Sequence, residues 1–98
     1  MEKVKVLVSF GFGAGWSTWN REHAKFLATD PTLVAMAERE ASEDEVSAYI
    51  LETLGTDVYM GGWPDIEVIP VDKGTHIQIN EYDGAEAIEF LANSGFTV

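Results

Sequence analysis

The sequence predicts an α+β domain in which helices pack on a mainly antiparallel sheet. Three patterns support this: apolar alternation over 4–10, a capped helical segment over Ser42–Leu54, and two alternating segments over Ile66–Val71 and Thr75–Tyr82. With 98 residues and 46% hydrophobic content, we expect one domain, 1–98, with a small core. The predicted order is β–α–α–β–β–α, with the last element open between helix and strand.

The first strand is predicted over Val4–Phe10, where β-branched residues alternate with Lys5, Leu7 and Ser9. Three glycines then end it, and a segment of moderate helical character follows over Arg21–Ala28. The next helix begins at Asp30-Pro31, because aspartate is a good N-cap and proline suits the first helical position. These features predict helices directly after the first strand.

The helix over Ser42–Leu54 has the clearest end signals. Ser42 and Glu45 have capping-box spacing, and Gly55 is a typical C-terminal stop. After a loop over 59–64, Ile66–Val71 and Thr75–Tyr82 are predicted to form a hairpin around the turn at 72–74. Pro70 indicates that the first of these strands ends at a sheet edge.

The segment after Tyr82 allows two predictions. Asp83 and Glu86 have capping-box spacing, which favours a helix with Ala87, Ile88 and Leu91 facing inward and Gly95 as its stop. Alternatively, Asp83-Gly84 is a type I′ hairpin turn and Ala85–Phe90 is a fourth strand. We favour the helix, because of the Gly95 stop and the alanines.

Charge is unevenly distributed along the chain. Residues 1–37 hold three acids and four bases, whereas residues 38–98 hold fourteen acids and two bases. An acidic surface repels nucleic acids and anionic membranes and attracts basic partners. We therefore expect no direct nucleic-acid or membrane binding, and a basic protein partner is one explanation of the acidity. Solubility alone is the other. The candidate partner-steering acids are Glu38, Glu40, Glu43, Asp44 and Glu45.

Two loops combine glycine with aromatic residues and form the candidate binding patch. Glycines expose backbone N–H groups that can hold an anion, and tryptophans are common at interface hot spots. The same residues also serve sharp turns and small cores, and that interpretation stays open. Neither nucleotide-loop pattern is present, because Trp16 stands at the sixth position of the glycine run and no Gly-Lys-Ser/Thr follows. The patch comprises Gly11, Gly13, Gly15, Trp16, Trp19, Tyr59 and Trp63.

Catalytic and metal-binding patterns do not stand out. His23 lies near Ser17, but neither Ser17 nor Ser9 has a nucleophile-elbow context. The chain has no cysteine and no calcium-loop pattern, so we predict no catalytic residues, no metal and no cofactor. No signal peptide or apolar span of membrane length is recognisable, so we expect a cytoplasmic protein.

The runs Gly13–Trp19 and Glu81–Glu86 resemble segments of small acidic proteins encoded by bacteriophages and prophages. The resemblance implies an accessory protein of the host cytoplasm, in a group that includes inhibitors of host defence. Our leading hypothesis is a non-enzymatic protein that binds a basic partner. The alternatives are a binder of a small nucleotide-like ligand, using the glycines and tryptophans, and a small enzyme. Val4–Phe10 or Ile66–Val71 is a candidate edge for pairing between copies.

Overall fold

The computed structural model describes residues 2–90 and 93–98 and confirms the predicted α+β class. In chain order, its described elements are β1 (Lys3–Ser9), α1 (Ala24–Thr29), α2 (Pro31–Glu38), α3 (Glu43–Leu54), β2 (Ile66–Asp72), β3 (His76–Tyr82), β4 (Ala85–Phe90) and β5 (Phe96–Thr97). Short 3-10 turns lie at Ser17–Trp19, Arg21–His23 and Trp63–Asp65. Over these residues, no helix is both long enough and apolar enough to cross a bilayer.

The strands form two antiparallel sheets, one of β1 and β2 and one in the order β4–β3–β5. The predicted hairpin between the second and third strands is therefore wrong. β2 pairs instead with β1, from Lys3 opposite Asp72 to Ser9 opposite Ile66. The turn after β2, where the Thr75 N–H donates to the Asp72 carbonyl, carries the chain from one sheet to the other. The long-range pairing with β1 is invisible to local sequence patterns.

The segment Ala85–Phe90 is a strand, so the favoured helix is wrong and the alternative hairpin is correct. Asp83 and Gly84 have φ of 50° and 88°, the positive values that a type I′ turn requires at both central residues. Gly95 therefore follows a strand and not the predicted helix, and it packs closely on β3, where a Cβ would lie 2.0 Å from the Ile77 carbonyl oxygen. Leu91, an inward position of the predicted helix, lies outside the described residues.

The start of α2 and both ends of α3 follow the sequence signals. The Asp30 carboxylate accepts from the Leu33 N–H at 3.1 Å, and the Ser42 hydroxyl accepts from the Glu45 N–H at 3.2 Å. Gly55 ends α3 with φ of 75°. The predicted helix over Arg21–Ala28 is shifted, since α1 starts at Ala24 after a 3-10 turn. Local capping chemistry thus places the two longer helices correctly.

β1 is buried on both faces and separates two apolar clusters. Leu7 packs with the helices in a cluster that also holds both buried tryptophans. Val6 and Val8 point to the other face, where they pack with Val71 of β2 and Ile77 of β3. One strand therefore supplies both cores, and the second core joins the two sheets.

Candidate functional site

Trp16 and Trp63 lie inside the protein and do not form an exposed patch. Their side chains are 0% and 6% exposed, and their ring centroids are 5.5 Å apart. Trp16 Nε1 donates to the Leu27 carbonyl at 2.8 Å, and Trp63 Nε1 donates to the Ala41 carbonyl at 3.1 Å. Each indole has its polar atom satisfied by backbone, as buried tryptophans usually do. The prediction that these two rings anchor a partner at the surface is therefore wrong.

Trp19 and Tyr59 are the two aromatic residues of the predicted patch that stay exposed. They are 41% and 50% exposed and stack with their centroids 5.5 Å apart. Asn20 holds their loops together, because its side chain donates to the Tyr59 carbonyl at 2.9 Å and accepts from the Tyr59 N–H at 2.8 Å. The two loops thus meet, but only this pair of aromatic residues faces outward.

The glycines of both loops allow close packing against backbone and side-chain atoms. A Cβ on Gly62 would lie 2.4 Å from the Gly15 carbonyl oxygen, and one on Gly15 would lie 2.6 Å from the Trp19 ring. A Cβ on Gly11 would lie 2.0 Å from the Asp65 carboxylate. Gly13 differs, because it has open space and a φ of 94° that suits a turn. Turns and close approach therefore account for these glycines.

The loop does hold an anion, and that anion is the carboxylate of Glu86. Glu86 is 2% exposed, and its Oε1 accepts from the Ser9 N–H at 2.9 Å. Its Oε2 accepts from the Trp16 N–H at 2.7 Å, the Thr18 N–H at 3.0 Å and the Thr18 hydroxyl at 2.6 Å. Burial of a carboxylate is tolerated only with such compensation. The N–H groups of Ser9, Trp16 and Thr18 are thus already used and cannot hold a phosphate in the same way.

Sequence reasoning missed the role of Glu86 because it placed this residue in a helix cap. Once Ala85–Phe90 is a strand, Glu86 shares a face with Ile88, and an acid in an inward position is a signal of a buried polar role. Beside it, the Ser9 hydroxyl is buried and has no hydrogen-bond partner in the part of the chain that the structure describes. The hairpin alternative for residues 83–90 therefore contains the signal that places Glu86 in the interior.

A groove of about 840 Å³ lies where β2 meets the end of α2 and the start of α3. We call it the acidic groove, because five of its lining residues are acids and none is lysine, arginine or histidine. The acids are Glu38, Glu40, Glu43, Asp65 and Glu67, and the remaining lining residues are Phe10, Gly11, Ala37, Ala41, Trp63, Pro64, Ile66 and Val68. It thus combines carboxylates with apolar surface.

The acidic groove gathers only part of the predicted steering cluster. Glu38, Glu40 and Glu43 line it, whereas Asp44 and Glu45 do not. Glu45 pairs with Arg39 instead of completing the capping box, and this hydrogen bond lowers the pKa of Glu45 and raises that of Arg39. Asp65 joins the groove from the turn before β2, and Glu67 joins it from β2 itself. Their contribution depends on the β1–β2 pairing, so the charge run alone did not indicate it.

Three of the four ion pairs among the described residues do not involve a groove acid. Ion pairs join Lys3 to Asp72, Lys5 to Glu38 at 2.7 Å, Arg39 to Glu45, and Lys73 to Glu2 at 3.3 Å. Glu38 is thus the one groove acid with an ion-pair partner within residues 2–90 and 93–98. Four carboxylates of the groove keep their charge uncompensated by these pairs.

Comparisons with known proteins return no match: no family model, no curated protein and no solved structure is significantly similar to this chain. Within the described ranges, no three histidine, aspartate or glutamate side chains are placed to hold a metal ion. The acidic groove is therefore the candidate binding site. The buried Glu86 has a structural role, because its carboxylate is fully engaged by backbone N–H groups and Thr18.

Proposed function

We propose that this chain is a non-enzymatic binding protein whose acidic groove holds a basic segment of a partner protein. The observation that carries the proposal is the convergence of five carboxylates from three parts of the chain on one groove that no basic residue lines. Excess acid that serves only solubility has no need to converge in this way. A concave site lined by one sign of charge concentrates ligands of the opposite sign.

The apolar part of the groove suits lysine and arginine side chains. These side chains lay their aliphatic stems on apolar surface and keep the charged head near carboxylates or water. Phe10 is 48% exposed and Pro64 is also exposed, so both can receive such stems. Glu40 and Glu43 offer carboxylates on the helical side, and Glu67 offers one on the β2 side.

The resemblance to small phage proteins supports a bacterial host protein, met in the host cytoplasm, as the partner. The nucleotide-like alternative has less support, because Glu86 occupies the N–H groups of Trp16 and Thr18 and two of the three tryptophans are buried. For the enzyme alternative, the residues that the structure describes offer no supporting arrangement. A basic protein segment is the ligand that the charges favour.

The test uses a fluorescein-labelled ten-residue peptide of alternating lysine and threonine, with binding followed by fluorescence anisotropy. The groove variant carries Glu40→Lys, Glu43→Lys and Glu67→Lys. The matched control carries Glu52→Lys, Asp57→Lys and Glu89→Lys, at exposed acids outside the groove. Each triple variant raises the formal net charge from −11 by the same six charges.

We expect the groove variant to lose affinity by about tenfold or more and the control by a few-fold at most, because local charge pairs act at close range. Affinity of the unmodified protein should fall as salt rises. Equal losses in both variants would show that net charge alone attracts the peptide. Binding that is insensitive to salt would contradict the electrostatic basis of the proposal. Circular dichroism confirms that both variants stay folded.

A further inference from the structure

β2 has one edge that pairs with β1 and one edge that no strand covers in the described part of the chain. Two hydrogen bonds fix which groups face which way. The Lys73 N–H donates to the Glu2 carbonyl at 3.0 Å, and the Phe10 N–H donates to the Asp65 carbonyl at 3.3 Å. Both extend the β1–β2 register by one residue pair. Hydrogen-bonded pairs alternate in an antiparallel ladder, so Glu67, Ile69 and Val71 direct their backbone groups to β1.

The intervening residues of β2 direct their backbone groups to the open edge. These are Ile66, Val68 and Pro70. The Ile66 N–H is already used, because it donates to the Trp63 carbonyl, and Pro70 has no N–H. Of these three residues, only Val68 therefore has a free N–H at the open edge. The carbonyl oxygens of Ile66, Val68 and Pro70 face the same edge. Within the described residues, no backbone or side-chain group outside the sheet bonds these four atoms.

The acidic groove runs along this same edge. Ile66, Glu67 and Val68 all line it, although successive side chains of a strand point to opposite faces. A groove bordered by both kinds of side chain lies at the strand's edge and not over one face. The open hydrogen-bonding groups and the carboxylates are therefore in the same place.

We propose that a basic segment binds as an extended strand beside β2, with its main chain hydrogen-bonded to Val68. The inference rests on the proposed function for the charge of the ligand and adds the way in which it binds. Strand addition obtains affinity from main-chain bonds and specificity from alternate side chains. Here one set of alternate side chains would face Glu67, and the other would face Glu40 and Glu43 on the helical side.

The negative charge of the acidic groove favours a basic segment over a second copy of this chain as the added strand. A second copy would bring its own carboxylates to the same edge and a formal net charge of −11. Pro70 also limits pairing, because the edge has no N–H to offer beyond Val68 in that direction until Asp72. A long ladder between copies is therefore disfavoured, whereas a short strand opposite Val68 fits.

Amide hydrogen exchange measured by NMR tests the mode of binding. In the free protein, the Val68 N–H should exchange much faster than the Ile69 N–H, which faces β1. Saturation with the lysine–threonine peptide should slow exchange at Val68 at least tenfold and leave Ile69 unchanged. Peptide binding without protection of Val68 would overturn strand addition and leave the proposed function standing. Absence of peptide binding by anisotropy would overturn both.

A backbone variant gives a second measurement. Val68→Pro removes the free N–H. Like Pro70, residue 68 directs its backbone to the open edge, so a proline there breaks no hydrogen bond to β1. We expect about a five- to tenfold loss of peptide affinity. Val68→Thr keeps the N–H and the β-branched shape, so it should bind the peptide as the unmodified protein does. Equal affinity of the two variants would overturn the proposal. If the protein instead forms a dimer at high salt that slows exchange of the Val68 N–H without peptide, a second copy occupies this edge. That result would contradict the proposal. If Val68→Pro does not fold, the exchange experiment still decides.

Discussion

The backbone N–H of Trp16 donates a 2.7 Å hydrogen bond to the carboxylate of Glu86, 70 residues further along the chain. The same carboxylate also binds Ser9 and Thr18, so one side chain of β4 holds the end of β1 and the glycine loop together. β4 and β1 belong to different sheets. The Glu86 carboxylate therefore links the two sheets through side-chain hydrogen bonds, because β1 and β4 are not paired by backbone hydrogen bonds.

Glu86→Ala should destabilise the domain by about 3–5 kcal/mol, because it leaves several buried donors without an acceptor. Glu86→Gln keeps the shape and one acceptor oxygen but turns an NH₂ group toward a donor, so about 2 kcal/mol is expected. Urea unfolding measures both losses. Glu89→Ala, at an exposed site of the same strand, is the control and should change stability by no more than about 0.5 kcal/mol. A loss at Glu86 no larger than this would contradict the structural role.

Gly84 and Gly74 form a matched pair that separates packing from backbone conformation. Both have positive φ, 88° and 91°, but a Cβ on Gly84 would lie 2.2 Å from the Ala14 nitrogen, and one on Gly74 would meet nothing within 4 Å. Gly74→Ala should therefore cost about 1–2 kcal/mol, from the left-handed conformation alone. Gly84→Ala should cost more by about 1–3 kcal/mol, from overpacking. Equal midpoints of urea unfolding would show that the β3–β4 turn does not press on the glycine loop.

Acrylamide quenching distinguishes the three tryptophans. Trp19 is 41% exposed, whereas Trp16 is fully buried and Trp63 nearly so. We expect Trp19 to account for nearly all of the quenchable fluorescence, because the quencher must reach the ring. The variant Trp19→Phe should then show strongly reduced quenching with the other two indoles still emitting. If quenching persists in this variant, at least one of the core tryptophans is accessible and the description of the core is wrong.

The Arg39–Glu45 pair makes a pH-dependent contribution with a definite sign. The hydrogen bond from Arg39 lowers the pKa of Glu45, so the folded state favours the ionised carboxylate. The resulting stabilisation is present above the unfolded-state pKa and is lost as pH falls through the folded-state pKa. Both side chains are about half exposed, so salt weakens the effect.

An NMR titration of the Glu45 carboxyl carbon checks this contribution. In Arg39→Gln, the pKa of Glu45 should rise from its value in the unmodified protein, and the stability difference between the two proteins should shrink on acidification. An unchanged Glu45 titration in the variant would show that the ion pair does not persist in solution.

Local hydrogen bonding explains which parts of the fold the sequence predicts. The caps at Asp30 and Ser42 each bind an N–H three residues away, and Gly55 ends its helix by its own conformation. Such interactions are complete within one helical turn, so short sequence patterns contain them. The alternation of β1 likewise predicts a strand at the start of the domain, although its pairing partner is distant in the sequence.

The incorrect predictions concern contacts between distant residues. β2 pairs with β1, from which it is separated by more than fifty residues, although its nearest neighbour in sequence is β3. Asp83-Gly84-Ala85-Glu86 fits both a helix start and a hairpin, and the burial of Glu86 against the glycine loop is an interaction that only the strand provides. Local propensities differ by less than the free energy of such tertiary contacts, so the contacts decide.

By itself, the sequence determined the α+β class, the start of α2, both ends of α3, and the excess of acid after residue 37. Only the tertiary structure decided that Trp16 and Trp63 are core residues and that the Ser9, Trp16 and Thr18 N–H groups bind Glu86. It also brought Asp65 and Glu67 beside Glu40 and Glu43 at the open edge of β2. The physical reason is that burial and the convergence of charge depend on which distant segments meet, whereas propensity and capping depend on neighbours in the chain.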